Sequence, residues 1–83
     1  MSIKILRKKL LQIISKEIKI DINKLDLNKS ANDFVEWDSL SNVRLILRIQ
    51  KEFKINISFG ETIALNDIND LLQFIMIKLK LIP

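Results

Sequence analysis

The chain has 83 residues, of which 48% are hydrophobic and 29% are charged, and this balance is typical of one small folded domain over residues 1–83. It contains no cysteine and no histidine, so it lacks disulfides, a thiolate nucleophile and the commonest metal ligands and general base. These absences argue against most hydrolases and metalloenzymes. The formal net charge of +4 favours an anionic partner, or it reflects the lysine-, isoleucine- and asparagine-rich composition that AT-rich coding produces.

A basic amphipathic helix is predicted from Ile3 to about Lys16, with Ser2 as its N-cap. Its apolar face is formed by residues at helical spacing: Ile3, Leu6, Leu10, Ile13 and Ile14. The lysines on the opposite side suit an anionic membrane surface, but a solvated face on a core helix is the favoured interpretation.

A long connection, residues 17–36, follows this helix and is rich in turn-forming Asn, Asp and Ser. Its many apolar residues predict that it packs on the helices rather than forming a free linker, with a helical turn near Ile22 to Leu25. Connections of this length often carry function in small domains.

The second helix is predicted over Ser39 to Phe53, with Asp38 as its N-cap. Ser39 then occupies the first helical position with an exposed side chain, and a helix N-terminus favours a phosphate nearby. The predicted polar face is narrow: Ser41, Arg44, Arg48, Lys51 and Glu52. Because the rest of the helix is apolar, we expect it to be central in the fold and to offer partners only that polar face.

The last third of the sequence begins with a second connection, residues 54–66, in which residues 61–65 are predicted to form a short third helix. Asp67 is the predicted N-cap of a fourth helix that ends near Lys80. The apolar stretch from Leu71 to Ile82 is too short to span a bilayer, and the start of the chain has no signal-peptide pattern. A free-standing cytoplasmic chain is therefore expected, favoured by Met1 and the short length.

The stretch Trp37-Asp38-Ser39-Leu40, followed by Val43 and Glu52-Phe53, resembles the core motif of the acyl carrier protein family. The similarity extends over nearly the whole chain and is most specific over residues 38–53. The resemblance implies an all-α small four-helix bundle, with three main helices, a short third helix and a long loop after helix 1. It also implies a monomeric carrier that is not an enzyme and binds no metal.

The resemblance implies that Ser39 is the attachment site of 4′-phosphopantetheine, which a phosphopantetheinyl transferase takes from coenzyme A. Asp38 would serve the helix start and recognition by that transferase, and Leu40 would contact partner enzymes. The other partners implied are an acyl- or aminoacyl-loading ligase or acyltransferase and a downstream synthase or transferase. A set of apolar residues would line the acyl-chain cavity: Val43, Ile46, Ile57, Ile63, Leu65, Ile68 and Leu72.

The sequence departs from the family pattern at two places. Many members have Gly before the Asp-Ser pair, where this chain has Glu36-Trp37; Trp37 either covers part of the cavity mouth or simply packs on the loop, which we favour. Fatty-acid-type carriers usually present an acidic second helix, whereas the partner-binding strip here is Arg44, Arg48 and Lys51. Like charges oppose docking, so the strip predicts a dedicated carrier with more acidic partners, unless it reflects base composition alone.

Alternative functions stay open at this stage. A small basic module for nucleic acid or acidic lipid is supported by the net charge, but the chain has neither an aromatic platform nor a helix-turn-helix glycine turn. A carrier-like fold without modification of Ser39 is a further alternative. An enzyme with Ser39 as nucleophile is disfavoured, because no suitable base accompanies it. The acyl cargo and pathway are not determined by the sequence.

Overall fold

A computed structural model describes residues 2–81, in which the regular secondary structure is helical and there is no strand. This confirms the predicted fold class and element order. The described residues form four α-helices and two 3-10 turns: α1 Ile3–Ile18, the turn Ile22–Lys24, the turn Ala31–Asp33, α2 Ser39–Phe53, α3 Phe59–Thr62 and α4 Ile68–Lys78. No helix in this part of the chain is long and apolar enough to cross a membrane.

The core is built around α1, which packs closely against both α2 and α4. The side chains with no exposed surface come from all three long helices: Leu6, Leu10, Ile14, Leu45, Ile49, Ile68 and Ile75. The predicted apolar face of α1 is confirmed except at its start, where Ile3 lies in the first turn and is 48% exposed. Ile18 extends this face, since α1 runs two residues beyond the predicted end.

Short polar side chains begin every α-helix. The predicted N-caps Ser2, Asp38 and Asp67 are confirmed, and each accepts a hydrogen bond from a backbone N–H of its first turn. The short helix α3 lies earlier than predicted. It begins at Phe59 because Ser58 and Glu61 form a capping box, in which each side chain accepts a hydrogen bond from the other residue's backbone N–H.

The long first loop is held against α4, as its apolar content predicts. The expected helical turn is present at Ile22–Lys24, and Leu25 after it is buried. The backbone N–H of Ile68 donates to the Lys29 carbonyl at 2.9 Å, and that of Asn69 donates to the Leu27 carbonyl at 2.8 Å. The start of α4 thus fixes the middle of the loop, which positions the segment leading to Ser39.

Helix α2 is less buried than its apolar composition predicts. The expectation that only its polar face is accessible is wrong: Leu40, Val43 and Leu47 are 62%, 48% and 59% exposed. Ser41, which was assigned to the polar face, is 6% exposed. The physical reason is that α1, rather than α2, is the helix packed between its neighbours, so only one face of α2 is covered.

Lys19, which follows the last residue of α1, has a left-handed backbone conformation with φ 59°. This conformation is strained for a residue with a Cβ but not for glycine. We expect Lys19→Gly to raise the free energy of unfolding by about 0.5–1 kcal/mol, after allowance for the more flexible unfolded chain. In contrast, Lys16→Gly, inside the same helix, should lower it by about 1 kcal/mol. Urea unfolding measures both, and a loss of stability in Lys19→Gly would contradict the strained cap.

Candidate functional site

Ser39 lies at the first position of α2 with its side chain exposed, as predicted. Asp38 immediately before it caps the helix, since its Oδ1 accepts a hydrogen bond from the Ser41 N–H at 2.8 Å. This bond, with smaller contributions from the Ser41 hydroxyl and the Arg44 charge, lowers the pKa of Asp38. The carboxylate is therefore ionised at neutral pH and engaged in the cap, and Ser39 beside it is exposed to solvent.

The start of α2 suits a negatively charged group attached to Ser39. The N–H groups of Ser41 and Asn42 are taken by Asp38, the first by its side chain and the second by its carbonyl oxygen at 2.9 Å. Within residues 2–81, the N–H groups of Ser39 and Leu40 have no such acceptor. Together with the positive end of the helix dipole, they can stabilise a phosphate on the neighbouring hydroxyl.

Trp37 ties the end of the long loop to α2. Its side chain is only 8% exposed, and its Nε1–H donates to Asn42 Oδ1 at 3.1 Å. Its backbone N–H also donates to the Phe34 carbonyl. Trp37 therefore packs on the loop and against the core, and it forms one wall of a cleft beside α2. The packing of Trp37 on the loop is the interpretation that the sequence favoured, and the lining of the cleft accompanies it.

Two half-open clefts, each of about 170 Å³, flank Ile46. The first lies between the long loop, α2 and the start of α4, and the second lies between α2 and α3. Asn42, Ile46 and Thr62 line both, so they separate the two spaces.

The residues predicted to line the acyl-chain cavity lie in different parts of the structure. Ile46 lines both clefts, Leu65 lines the first, and Val43 and Ile57 line the second. The remaining candidates lie outside both clefts: Ile68 and Leu72 are buried in the core, and Ile63 is 72% exposed on the surface.

The sequence interpretation missed polar residues of α2 that face the clefts. Asn42 lines both clefts and Gln50 lines the second, and Gln50 also accepts a hydrogen bond from the Ile57 N–H at 3.0 Å through Oε1. Asn42, Ile46 and Gln50 are spaced four residues apart, so they form one row along the helix. That row was visible in the sequence and is the signal that identifies this face.

The basic strip of α2 is partly paired within the protein. Arg44 Nε and Arg48 Nε each lie 3.2 Å from an oxygen of Glu17 on α1. The Glu17 side chain is 11% exposed, whereas the arginine side chains are 53% and 44% exposed. Lys51 has no ion-pair partner within residues 2–81. Two arginines thus share one carboxylate, which leaves the strip positive but less so than its sequence indicates.

Glu61 links α3 to α4. Its Oε2 lies 2.8 Å from Lys78 Nζ, and its Oε1 accepts the Ser58 N–H hydrogen bond. The Lys78 ammonium, followed by the hydrogen bonds from Ser58, lowers the pKa of Glu61 from 4.5 to about 2. The ionised carboxylate therefore stabilises the position of α3 next to the cleft.

Removing this carboxylate should have a pH-dependent effect. Because the folded-state pKa of Glu61 lies below the unfolded value, its contribution to stability is full above about pH 4.5 and is lost as the pH falls toward 2. We expect Glu61→Gln to lower the Tm modestly near neutral pH, since the pair is exposed, and to match the wild type near pH 2. Circular dichroism melts across this pH range measure the difference. Lys78→Gln should reproduce it, and a difference that is constant with pH would contradict the ion pair.

Comparisons with known proteins agree with this geometry. A family model described as a phosphopantetheine attachment site matches residues 8–75. The chain is 38% identical over 68 residues to an acyl carrier protein of Buchnera aphidicola subsp. Schizaphis graminum, covering 82% of this chain and 86% of that protein. It also superimposes on the solution structure of holo acyl carrier protein from Geobacter metallireducens with a TM-score of 0.80 and 32% identity, covering 89% of this chain and 85% of that one.

The fold and the site together define a class of protein: a carrier with an accessible serine at the start of a helix. The chain belongs to the acyl carrier protein family. It is accordingly a carrier rather than an enzyme, and its family function depends on a covalently attached phosphopantetheine.

Proposed function

We propose that this protein carries acyl or aminoacyl groups as thioesters on a 4′-phosphopantetheine arm attached to Ser39. The observation that carries the proposal is the exposed Ser39 hydroxyl at the first position of α2, in a chain that matches the phosphopantetheine attachment family. When bound, the group supplies a terminal thiol, which this cysteine-free chain lacks.

The residues around Ser39 fit this role. Asp38 holds the start of α2 in place through its cap, so the serine is presented on a rigid helix end. The N–H groups of Ser39 and Leu40 offset the charge of an attached phosphate. Leu40 itself is exposed beside the serine and offers an apolar contact to an enzyme that binds there. The site therefore provides the attachment point for the arm and, beside it, an exposed apolar side chain that a partner enzyme can contact.

The clefts beside α2 support sheltering of an aliphatic cargo. Ile46 and Leu65 provide apolar lining in the first cleft, and Val43, Ile46 and Ile57 provide it in the second. Burial of apolar chain atoms there is favourable by about 0.8 kcal/mol for each CH₂ group. A polar aminoacyl cargo gains nothing from these walls and stays outside. In either case the tether keeps the cargo at high effective concentration near partner active sites.

We further propose that residues 1–83 work as one carrier domain in a dedicated acyl-transfer route. Its partners would be a phosphopantetheinyl transferase, a loading ligase or acyltransferase and a downstream synthase or transferase. Arg44, Arg48 and Lys51 support partners more acidic than those of carriers with an acidic second helix. Efficient malonyl or acyl transfer by general fatty-acid enzymes, unchanged when these residues are replaced by glutamate, would contradict this part of the proposal.

The attachment is tested by intact mass spectrometry after incubation with coenzyme A and a broad-range phosphopantetheinyl transferase. We expect one phosphopantetheine adduct per chain, and peptide mapping should place it on Ser39. A second transferase of different specificity guards against exclusion of the first by Trp37 or the basic strip. If neither transferase modifies a chain that circular dichroism shows to be helical, or if the adduct lies on another serine, the proposal is wrong.

A further inference from the structure

A basic groove lies between α1 and α2, away from Ser39. It has a volume of about 430 Å³, and its cations are Lys9 and Lys16 from α1 and Arg48 and Lys51 from α2. The half-buried Ile13 contributes apolar surface, and Glu52 is the acidic residue of the lining. The sequence places these side chains on separate helices, so only their packing brings them together.

The charges of this basic groove are not balanced within the protein. Arg48 shares the single carboxylate of Glu17 with Arg44, and it keeps its terminal guanidinium nitrogens as further donors. Lys9, Lys16 and Lys51 have no ion-pair partner in the part of the chain that the structure describes. Cations of one sign along a concave surface concentrate the positive potential and raise the rate of encounter with an anionic partner.

The spacing of the cations favours an elongated anionic partner. Lys9 and Lys16 are seven residues apart on α1, which corresponds to about 10.5 Å along the helix axis. Carboxylates two turns apart on a partner helix have the same spacing. A flat membrane surface is a poorer match, because the cations line a concavity and Ile13 is half-buried instead of protruding.

We propose that the basic groove docks an acidic helical segment of a partner protein. The docking proposal rests on the proposed function, because that function makes the partner an enzyme of acyl transfer. Lys51 is twelve residues beyond Ser39 on α2, or about 18 Å along the axis, so a segment in the groove leaves the serine accessible. Glu52 repels a carboxylate placed next to it and thereby limits the register of docking.

The test uses the full chain carrying Ser39→Ala, so that binding is read without any modification of the serine. The probe is a fluorescein-labelled synthetic helix with glutamates two turns apart on one face, compared with a peptide of the same composition whose glutamates are spread around the helix. Fluorescence anisotropy should show tighter binding of the first peptide and weakening by salt. Lys9→Glu with Lys16→Glu should weaken this binding by about tenfold or more.

The matched control is Lys4→Glu with Lys8→Glu, which changes the net charge equally at exposed positions of α1 outside the groove lining. We expect less than about a twofold effect from this pair. Equal weakening by both pairs, or equal binding of both peptides, would overturn the proposal in favour of general charge attraction. Binding to phosphatidylglycerol vesicles that depends on Lys9 and Lys16, without peptide binding, would overturn it in favour of a lipid surface. Failure of adduct formation at Ser39 in the wild-type chain would instead count against the proposed function alone.

Discussion

Ser39→Ala is expected to abolish phosphopantetheine attachment completely while leaving the helices intact. The hydroxyl oxygen is the only non-hydrogen atom that the substitution removes, and it is the proposed point of attachment. Alanine is also a good helix former, and the cap of α2 comes from Asp38 rather than from Ser39. Intact mass spectrometry after the transferase reaction measures the first result, and circular dichroism measures the second.

A second serine at a helix start provides the control for this prediction. Ser58 is exposed and caps α3, and Ser58→Ala should lose about 1 kcal/mol of stability through the lost cap but should be loaded as well as the wild type. This pair of variants separates the chemistry of one hydroxyl from the general effect of removing a serine. An adduct on Ser39→Ala, or its loss from a folded Ser58→Ala chain, would contradict the assignment of Ser39.

Leu45→Ala in α2 should lower the free energy of unfolding by about 2–5 kcal/mol. Leu45 has no exposed surface, so the substitution removes buried apolar atoms and leaves a cavity that the core fills only in part. A chain of 83 residues has a total stability of only about 4–12 kcal/mol. The variant is therefore expected to be partly unfolded at physiological temperature or to have a much lower Tm.

Leu47→Ala is the matched control, because it removes the same atoms two residues further along the same helix. Leu47 is 59% exposed, and its replacement should change the free energy of unfolding by about 0.5 kcal/mol or less. Urea unfolding of the two variants compares them directly, with equal m values as the condition for the comparison. Similar losses in both would show that α2 is covered on both faces, as its composition suggested, and would contradict the arrangement of the helices.

Helix α2 has an exposed apolar strip, formed by Leu40, Val43 and Leu47, that is available for contact with a partner. It lies along α2 next to the basic strip of Arg44, Arg48 and Lys51, and it continues from the serine toward the middle of the helix. Contiguous exposed apolar groups on a small protein commonly mark an interaction surface. The accessible surface of α2 is thus mixed in character, whereas helical spacing predicted a polar one and the family resemblance added only Leu40 as a partner contact.

The sequence by itself determined the features that depend on neighbouring residues. The limits of α2, the cap by Asp38 and the exposure of Ser39 were all predicted, because a cap and the first helical turn involve hydrogen bonds over three or four residues. The order of the helices and the turn at Ile22–Lys24 followed from periodicity and turn chemistry in the same way, whereas the bundle was implied by the family resemblance. Here the local pattern and the final fold agree.

Only the tertiary structure decided which surfaces are covered and which groups meet. Hydrophobic spacing shows that α2 has wide apolar faces but not which neighbour covers them, so the exposure of Val43 and the burial of Ser41 were missed. Glu17 pairs with Arg44 across 27 residues of sequence, and the basic groove joins side chains of two helices. Contacts between residues so far apart in the sequence depend on how the helices pack against each other. In a bundle of few helices, the burial of a side chain also depends on how many neighbours its helix has.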